Sequence, residues 1–143
     1  MDKKRDLPHA IVIGTPKSGT TTLCGALMRH PDIYMYPKKE THFFNDLFTK
    51  RDMAWYKSLF APAPEGALLM EGTPDYAMSH CVERTSKRIA EHIPDAKLIM
   101  MVRDPVDRIE SHYVPYRGRF GKMARNCRDK RLRRHGGDPA RGF

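Results

Sequence analysis

At 143 residues the chain has room for one domain with a modest core. Its formal charge of +9 invites a nucleic-acid reading, but residues 117–143 hold ten Lys/Arg against two Asp, while the other 116 carry 16 basic and 15 acidic side chains. The basicity belongs to the tail, the body is electrically ordinary, and no nucleic-acid partner is expected for the domain.

Residues 1–8 are a polar lead-in. Ala10-Ile11-Val12-Ile13-Gly14 is an apolar, β-branched run closed by glycine, the pattern of a buried strand. Leu23 and Leu27, four apart, set a helical spacing that starts after Thr20 and ends at His30-Pro31. Between strand and helix lies Thr15-Pro16-Lys17-Ser18-Gly19-Thr20-Thr21-Thr22. Free backbone N–H groups and the helix dipole favour a phosphate at such a place. Gly14 and Gly19 have the spacing of the nucleotide-hydrolysing P-loop, G-x-x-x-x-G-K-[ST], but Thr20 stands where that motif needs lysine. The lysine is inside the loop, at Lys17, so its ammonium reaches the phosphate end from the loop rather than from the first helical turn.

Ile33-Tyr34-Met35-Tyr36 is a short extended piece stopped by Pro37. Residues 38–46 mix charge with Phe43 and Phe44 in no clean period and read as a loop or short helix lining a cleft, anchored by the phenylalanines. Residues 51–60 read as a helix, with Trp55–Leu59 and Tyr56–Phe60 as i, i+4 pairs, and Trp55 as core. Residues 61–66 form a surface connection. Ala67-Leu68-Leu69-Met70 is a second buried strand leading into Glu71-Gly72-Thr73-Pro74-Asp75-Tyr76. From Ser79 to Ile93, Val82, Ser86, Ile89 and Ile93 mark one helical face, ended by Pro94.

Residues 97–102 make the third and most hydrophobic strand. Asp104 as N-cap, Pro105 in the first helical position and Asp107 in the first turn then start a helix over 104–115. A cap is the better reading of Asp104 than a magnesium ligand, and Arg108 suits a solvated helix face. The tail from Arg117, dense in arginine and poor in apolar residues, reads as disordered.

Three strands alternating with helices describe an α/β fold with a parallel sheet. Ligands of such sheets sit beyond the carboxyl ends of the strands, so residues 15–22, 71–76 and 103–111 are delivered to one edge. Cys24, Cys81 and Cys127 are odd in number and have no C-x-x-C pair, which suits reduced thiols in a cytoplasmic protein. The remaining histidines, His30, His80, His92, His112 and His135, are scattered, and no metal site is expected. No apolar run approaches a membrane span, and no signal peptide is read at the start. The residues say nothing of oligomeric state.

The loop resembles the 5′-phosphosulfate loop of sulfotransferases that use 3′-phosphoadenosine 5′-phosphosulfate (PAPS). Arg103-Asp104-Pro105 followed by Ser111 resembles the family's 3′-phosphate motif; the two residues are about two helical turns apart. Lys39-Glu40-Thr41-His42-Phe43-Phe44 resembles the K-E-x-H-F-F segment of the heparan-sulfate-type branch, and Glu71 to Tyr76 looks like its E-x-T-P-x-Y turn. The resemblance implies a P-loop-type three-layer fold, with residues 9–116 as the N-terminal part of a sulfotransferase domain and nothing after Tyr116 matching the later half. It implies Thr15, Lys17, Ser18, Gly19, Thr20, Thr21 and Thr22 around the 5′-phosphosulfate of PAPS, and Arg103 and Ser111 on its 3′-phosphate. It implies Glu40 as general base with His42 beside it, and Lys17 as the cation on the leaving group. In some carbohydrate sulfotransferases a lysine stands where this chain has Gly72, so one active-site cation is expected to be missing.

Sulfuryl transfer is an in-line displacement in which the protein positions reactants and stabilises spreading charge. The expected acceptor is a hydroxyl or amine, with a carbohydrate favoured by the Glu40–His42 segment. Two other readings stay open: a truncated fragment that binds nucleotide without catalysis, and a P-loop small-molecule kinase. The kinase predicts ATP turnover abolished by EDTA and leaves Arg103 and Ser111 unexplained.

Overall fold

The structure, a computed structural model, describes residues 6–113. The disordered tail expected over 117–143, the end of the helix expected over 104–115, Cys127, His135 and the first five residues of the lead-in lie outside the described residues. The chain divides into two compact units, Met1–Arg103 and Asp104–Phe143.

The first unit is built on a four-stranded parallel sheet in the order β2-β3-β1-β4. Its elements are β1 (Ala10–Gly14), α1 (Thr20–Leu27), β2 (Ile33–Met35), a π-type turn (Phe43–Leu47), α2 (Met53–Ser58), β3 (Leu68–Glu71), a 3-10 turn (Pro74–Ala77), α3 (Val82–His92) and β4 (Lys97–Met100). The piece at 33–36, expected only as extended chain, is thus a fourth strand. It pairs through Ile33, Tyr34 and Met35 with Leu68, Leu69 and Met70.

β1 is paired on both sides and both of its faces are covered, which is why it reads as an unbroken apolar run. Val12 joins Cys24, Leu23, Leu27, Met35 and Met70 in a cluster on the α1 face. Ile11 joins Leu69, Phe43, Phe44, Tyr56, Phe60, Ile89 and Ile93 in a larger cluster under the π-type turn, α2 and α3. Helices therefore lie on both faces. The chain leaves β1 through α1 toward β2 and returns across β1 through α3 to β4, so the winding reverses at β1, the position beside which ligands of such sheets bind.

Two expected details change. On α3 the buried residues are Thr85 and Ile89, followed by Ile93, while Val82 and Ser86 face outward. β4, the most apolar strand by sequence, is an edge of the sheet among the described residues, with Leu98 and Met100 half exposed at 51% and 53%. Apolar composition marks a strand but does not say how many neighbours it has.

α2 is capped by Asp52, whose carboxylate accepts from the Trp55 N–H at 2.8 Å. Among the described residues no helix is long and apolar enough to cross a membrane. In the second unit a helix begins at 105 and runs to the last described residue. Asp104 caps it as expected: its Oδ1 accepts from the N–H groups of Val106 (2.9 Å) and Asp107 (3.2 Å). Ser111 lies on this helix.

Candidate active site

The loop after β1 is tied down by its own hydroxyls and by the neighbouring strand. Thr15 Oγ1 and Ser18 Oγ are 2.6 Å apart. Thr15 also donates to the Met101 carbonyl through its N–H (2.9 Å) and its hydroxyl (3.1 Å), and Met101 N–H donates back to Gly14 at 2.7 Å. This extends the β1–β4 ladder to the mouth of the loop. Lys17 and Arg103 each stand two residues past the Thr15–Met101 pairing, on adjacent parallel strands, so both emerge at one sheet edge.

Gly19 closes the loop at φ +85°, a left-handed conformation that a side chain resists, and α1 starts directly after it. Unlike α2, α1 has no side-chain cap, so its first-turn N–H groups keep their capacity for an anion. Ser18 and Thr20 are buried, whereas Lys17, Thr21 and Thr22 are exposed.

The Glu40–His42 segment sits beside this loop. His42 Nε2 is 3.2 Å from Glu40 Oε2, and its Nδ1 is 4.0 Å from Asp75 Oδ2, too far for a hydrogen bond. That Nδ1 is buried with no hydrogen-bond partner, an unusual state for a polar atom in a folded interior. Glu40 Oε1 is 3.0 Å from Lys39 Nζ, and the same ammonium donates to Thr21 Oγ1 (3.1 Å) and Thr20 Oγ1 (3.4 Å). Lys39 therefore joins the loop to the carboxylate. Glu71, Thr73, Asp75 and Lys39 all take part here, and none was singled out as a site residue from sequence.

The segment is held by a buried carboxylate. Glu71, fully buried at the end of β3, accepts from Tyr56 OH (2.7 Å) and Tyr76 OH (3.2 Å) on one oxygen and from Thr41 (2.8 Å) and Thr73 (2.7 Å) hydroxyls on the other. Three of these hydroxyls pass the order on to the backbone. Thr73 Oγ1 accepts from the N–H groups of Thr41 (3.0 Å) and His42 (3.3 Å), Thr41 Oγ1 from Phe43 (3.2 Å), and Tyr76 OH from Phe44 (3.2 Å). Four consecutive N–H groups are thus fixed by oxygens that donate to one carboxylate. Arg88, stacked 4.2 Å over Phe48, donates to the carbonyls of Phe44 (2.8 Å) and Asn45 (3.1 Å) and holds the next turn.

Burial pushes the Glu71 carboxyl upward, opposed by its four hydroxyl donors. Burial, and then the Glu71 charge, raise Tyr56 and Tyr76 well above the ordinary phenol range and keep both as O–H donors. Such a network fixes a conformation that the chain alone would avoid: His42 stands at φ +51°. Among the described residues the non-glycine residues at positive φ are Lys17 (+67°), Lys39 (+63°) and His42, and all three belong to this site. Strain of this kind concentrates at functional sites.

Gly72 has no room for a side chain, because a Cβ there would lie 2.7 Å from Cys24 Sγ. The stem of Lys39 passes the same point, its Cγ 3.6 Å from that Cβ position. Position 72 carries no cation, and the ammonium nearest this turn that contacts Glu40 is that of Lys39. Two of the cations named above, Lys17 and Lys39, with the uncapped helix start and a ring of hydroxyls, fit an anionic ligand beside a carboxylate–imidazole pair. Among the described residues no group of three or more His, Cys, Asp or Glu is arranged to hold a metal ion.

Residues 7–129 match the family described as the sulfotransferase domain. The chain belongs to the sulfotransferase family. It is 38% identical over 111 residues to the human heparan sulfate glucosamine 3-O-sulfotransferase 6, an alignment covering 78% of this chain and 31% of the relative. It is 39% identical over 110 residues to the membrane-associated sulfotransferase kil1 of Dictyostelium discoideum, covering 75% of this chain and 22% of the relative. Among solved structures it resembles a sulfotransferase from Alicyclobacillus acidocaldarius, with a TM-score of 0.67 and 31% identity, over 90% of this chain and 60% of that one. The chain spans less than a third of the length of these two curated sulfotransferases.

Proposed function

We propose that this chain holds the donor-binding and proton-accepting half-site of a sulfotransferase that moves a sulfuryl group from PAPS to a hydroxyl or amine, with a carbohydrate hydroxyl as the favoured acceptor. The observation that carries it is the junction of two segments: the hydroxyl-rich loop at the end of β1 and the Glu40–His42 pair, joined through Lys39. The similarity to a human heparan sulfate glucosamine 3-O-sulfotransferase supports a glycan acceptor. On this reading the loop is a P-loop-type cradle, residues 9–116 are the N-terminal part of the domain, and 117–143 are a basic extension. The two described cysteines, Cys24 and Cys81, are buried free thiols, which is in keeping with a cytoplasmic setting.

Thr15, Lys17, Ser18, Gly19, Thr20, Thr21 and Thr22 would hold the 5′ end of PAPS, and Arg103 with Ser111 its 3′-phosphate. PAPS supplies an activated sulfuryl group. Glu40 takes the proton of the acceptor as the acceptor oxygen or nitrogen bonds to sulfur. His42, through Nε2, fixes the carboxylate in the receiving orientation. Lys17 and the threonine hydroxyls stabilise the charge that grows on the bridging oxygen as its bond to sulfur breaks.

Calorimetry of the full chain with PAPS tests the site. Lys17→Ala is expected to weaken binding by about tenfold or more, the loss of one charge-assisted contact. Equal heats from the two proteins would refute the reading.

A further inference from the structure

Lys39 joins the two segments but has no step in the preceding scheme, and its geometry is costly. Its backbone is left-handed at φ +63°, a conformation shared among the described non-glycine residues with Lys17 and His42, the two others at the candidate centre. Its side chain is only 14% exposed. The stem runs over Gly72, where any side chain would collide with Cys24, and the ammonium arrives among Thr20, Thr21 and Glu40. A lysine that served only to neutralise Glu40 would need neither the strained backbone nor the threonine hydroxyls of the opposite segment.

We propose that Lys39 is a second donor-binding cation, directed at the sulfonate, and that its ammonium leaves Glu40 for the sulfonate oxygens when the donor binds. Lys39 Nζ has three donors, and at present one goes to a carboxylate and two to hydroxyls. A sulfonate between the loop and Glu40 offers anionic oxygens that compete with the Glu40 carboxylate for that ammonium. Exchange of the partner has two consequences. The sulfonate gains a fixed positive charge on the side facing the acceptor, and Glu40 loses the cation that would hold its lone pairs away from the acceptor proton. Donor binding thereby readies the base, so that the carboxylate is released only when a sulfuryl group is in place.

The inference rests on the sulfotransferase reading but fails separately from it. The test uses the full chain and two nucleotides that differ only in the sulfonate: PAPS and 3′-phosphoadenosine 5′-phosphate. Lys39→Met keeps an unbranched apolar stem over Gly72, with sulfur in place of Cδ, and removes the ammonium; its thermal midpoint, followed by circular dichroism, reports whether the fold is retained. Calorimetry is expected to show PAPS affinity lowered by about tenfold or more with the nucleotide lacking sulfonate changed by no more than about threefold. Lys17→Ala, acting on the shared 5′-phosphate, is expected to weaken both. Equal losses for the two nucleotides in Lys39→Met, or no loss in either, would overturn the proposal. A wild-type chain that binds neither nucleotide would overturn the sulfotransferase reading itself.

Discussion

The two halves of the site are held in place by different means. The loop at residues 15–19 is stabilised mostly from within and from the adjoining strand: a threonine–serine contact three residues apart, a glycine at the helix start, and the Thr15–Met101 pairing that any extension of the β1–β4 ladder would supply. The segment at residues 40–44 is stabilised from a distance, by hydroxyls and a carboxylate some thirty residues later in the chain. The proposed donor side is therefore a local motif placed on a sheet, whereas the proposed base side is a tertiary construction. Damage to the first should be confined to ligand binding, and damage to the second should reach both stability and catalysis.

The largest effect is expected from Glu40, the proposed base. Glu40→Gln should lower kcat for sulfuryl transfer from labelled PAPS by about 10²–10⁴-fold, the usual scale for removing a general base. PAPS affinity should hold or rise, since the amide no longer competes for Lys39. A kcat within a few fold of wild type would remove Glu40 from the mechanism and leave the donor half-site standing alone.

Next comes the support beneath it. Glu71→Gln should cost about 2 kcal/mol of stability, because an amide nitrogen would face hydroxyl groups that are already oriented to donate. The cost should depend on pH. Burial raises the Glu71 carboxyl in the folded chain above its unfolded value, so its contribution is full below the unfolded value and is lost as pH rises through the folded one. Urea midpoints measured across that window should show the wild type's advantage over Glu71→Gln shrinking toward higher pH. A constant gap would mean that the carboxyl is not raised.

The smallest effect sharpens the comparison. Tyr56→Phe removes one 2.7 Å bond to Glu71 and leaves the aromatic stack on Phe43, centroids 4.5 Å apart, intact. A loss of about 1.5 kcal/mol is expected, with PAPS affinity unchanged, because no part of the loop depends on that hydroxyl. A matching loss of PAPS affinity would show that the two regions are coupled more tightly than their separate supports imply.

Much of this was legible before any coordinates. The strand at 10–14, the hydroxyl-rich turn, the cap at Asp104 and the delivery of the loops after β1 and β3 to one sheet edge follow from patterns that are contiguous in sequence. Lys39 lies within the K-E-x-H-F-F match, but nothing in Lys38-Lys39-Glu40 tells its charge from its neighbour's, and only the left-handed backbone and the passage over Gly72 turn it inward. Glu71 was visible as the head of the E-x-T-P-x-Y turn, but its burial was not, since a glutamate after an apolar strand ordinarily marks the return to solvent. Here four hydroxyls from residues 41, 56, 73 and 76 satisfy it in the interior. The burial of α3 through Thr85 rather than Val82 and Ser86 belongs to the same class, because helical period fixes which residues share a face but not which face meets the sheet.

By itself the sequence determined the parallel α/β plan and the hydroxyl-rich turn closed by glycine at the start of α1, since both depend on local backbone preferences and on periodic burial within short stretches. Only the tertiary structure decided which charges work together. Lys39 with Thr21, and Glu71 with Thr41, are eighteen and thirty residues apart. Their meeting depends on β2, β3 and β1 lying side by side, a pairing that no single segment specifies.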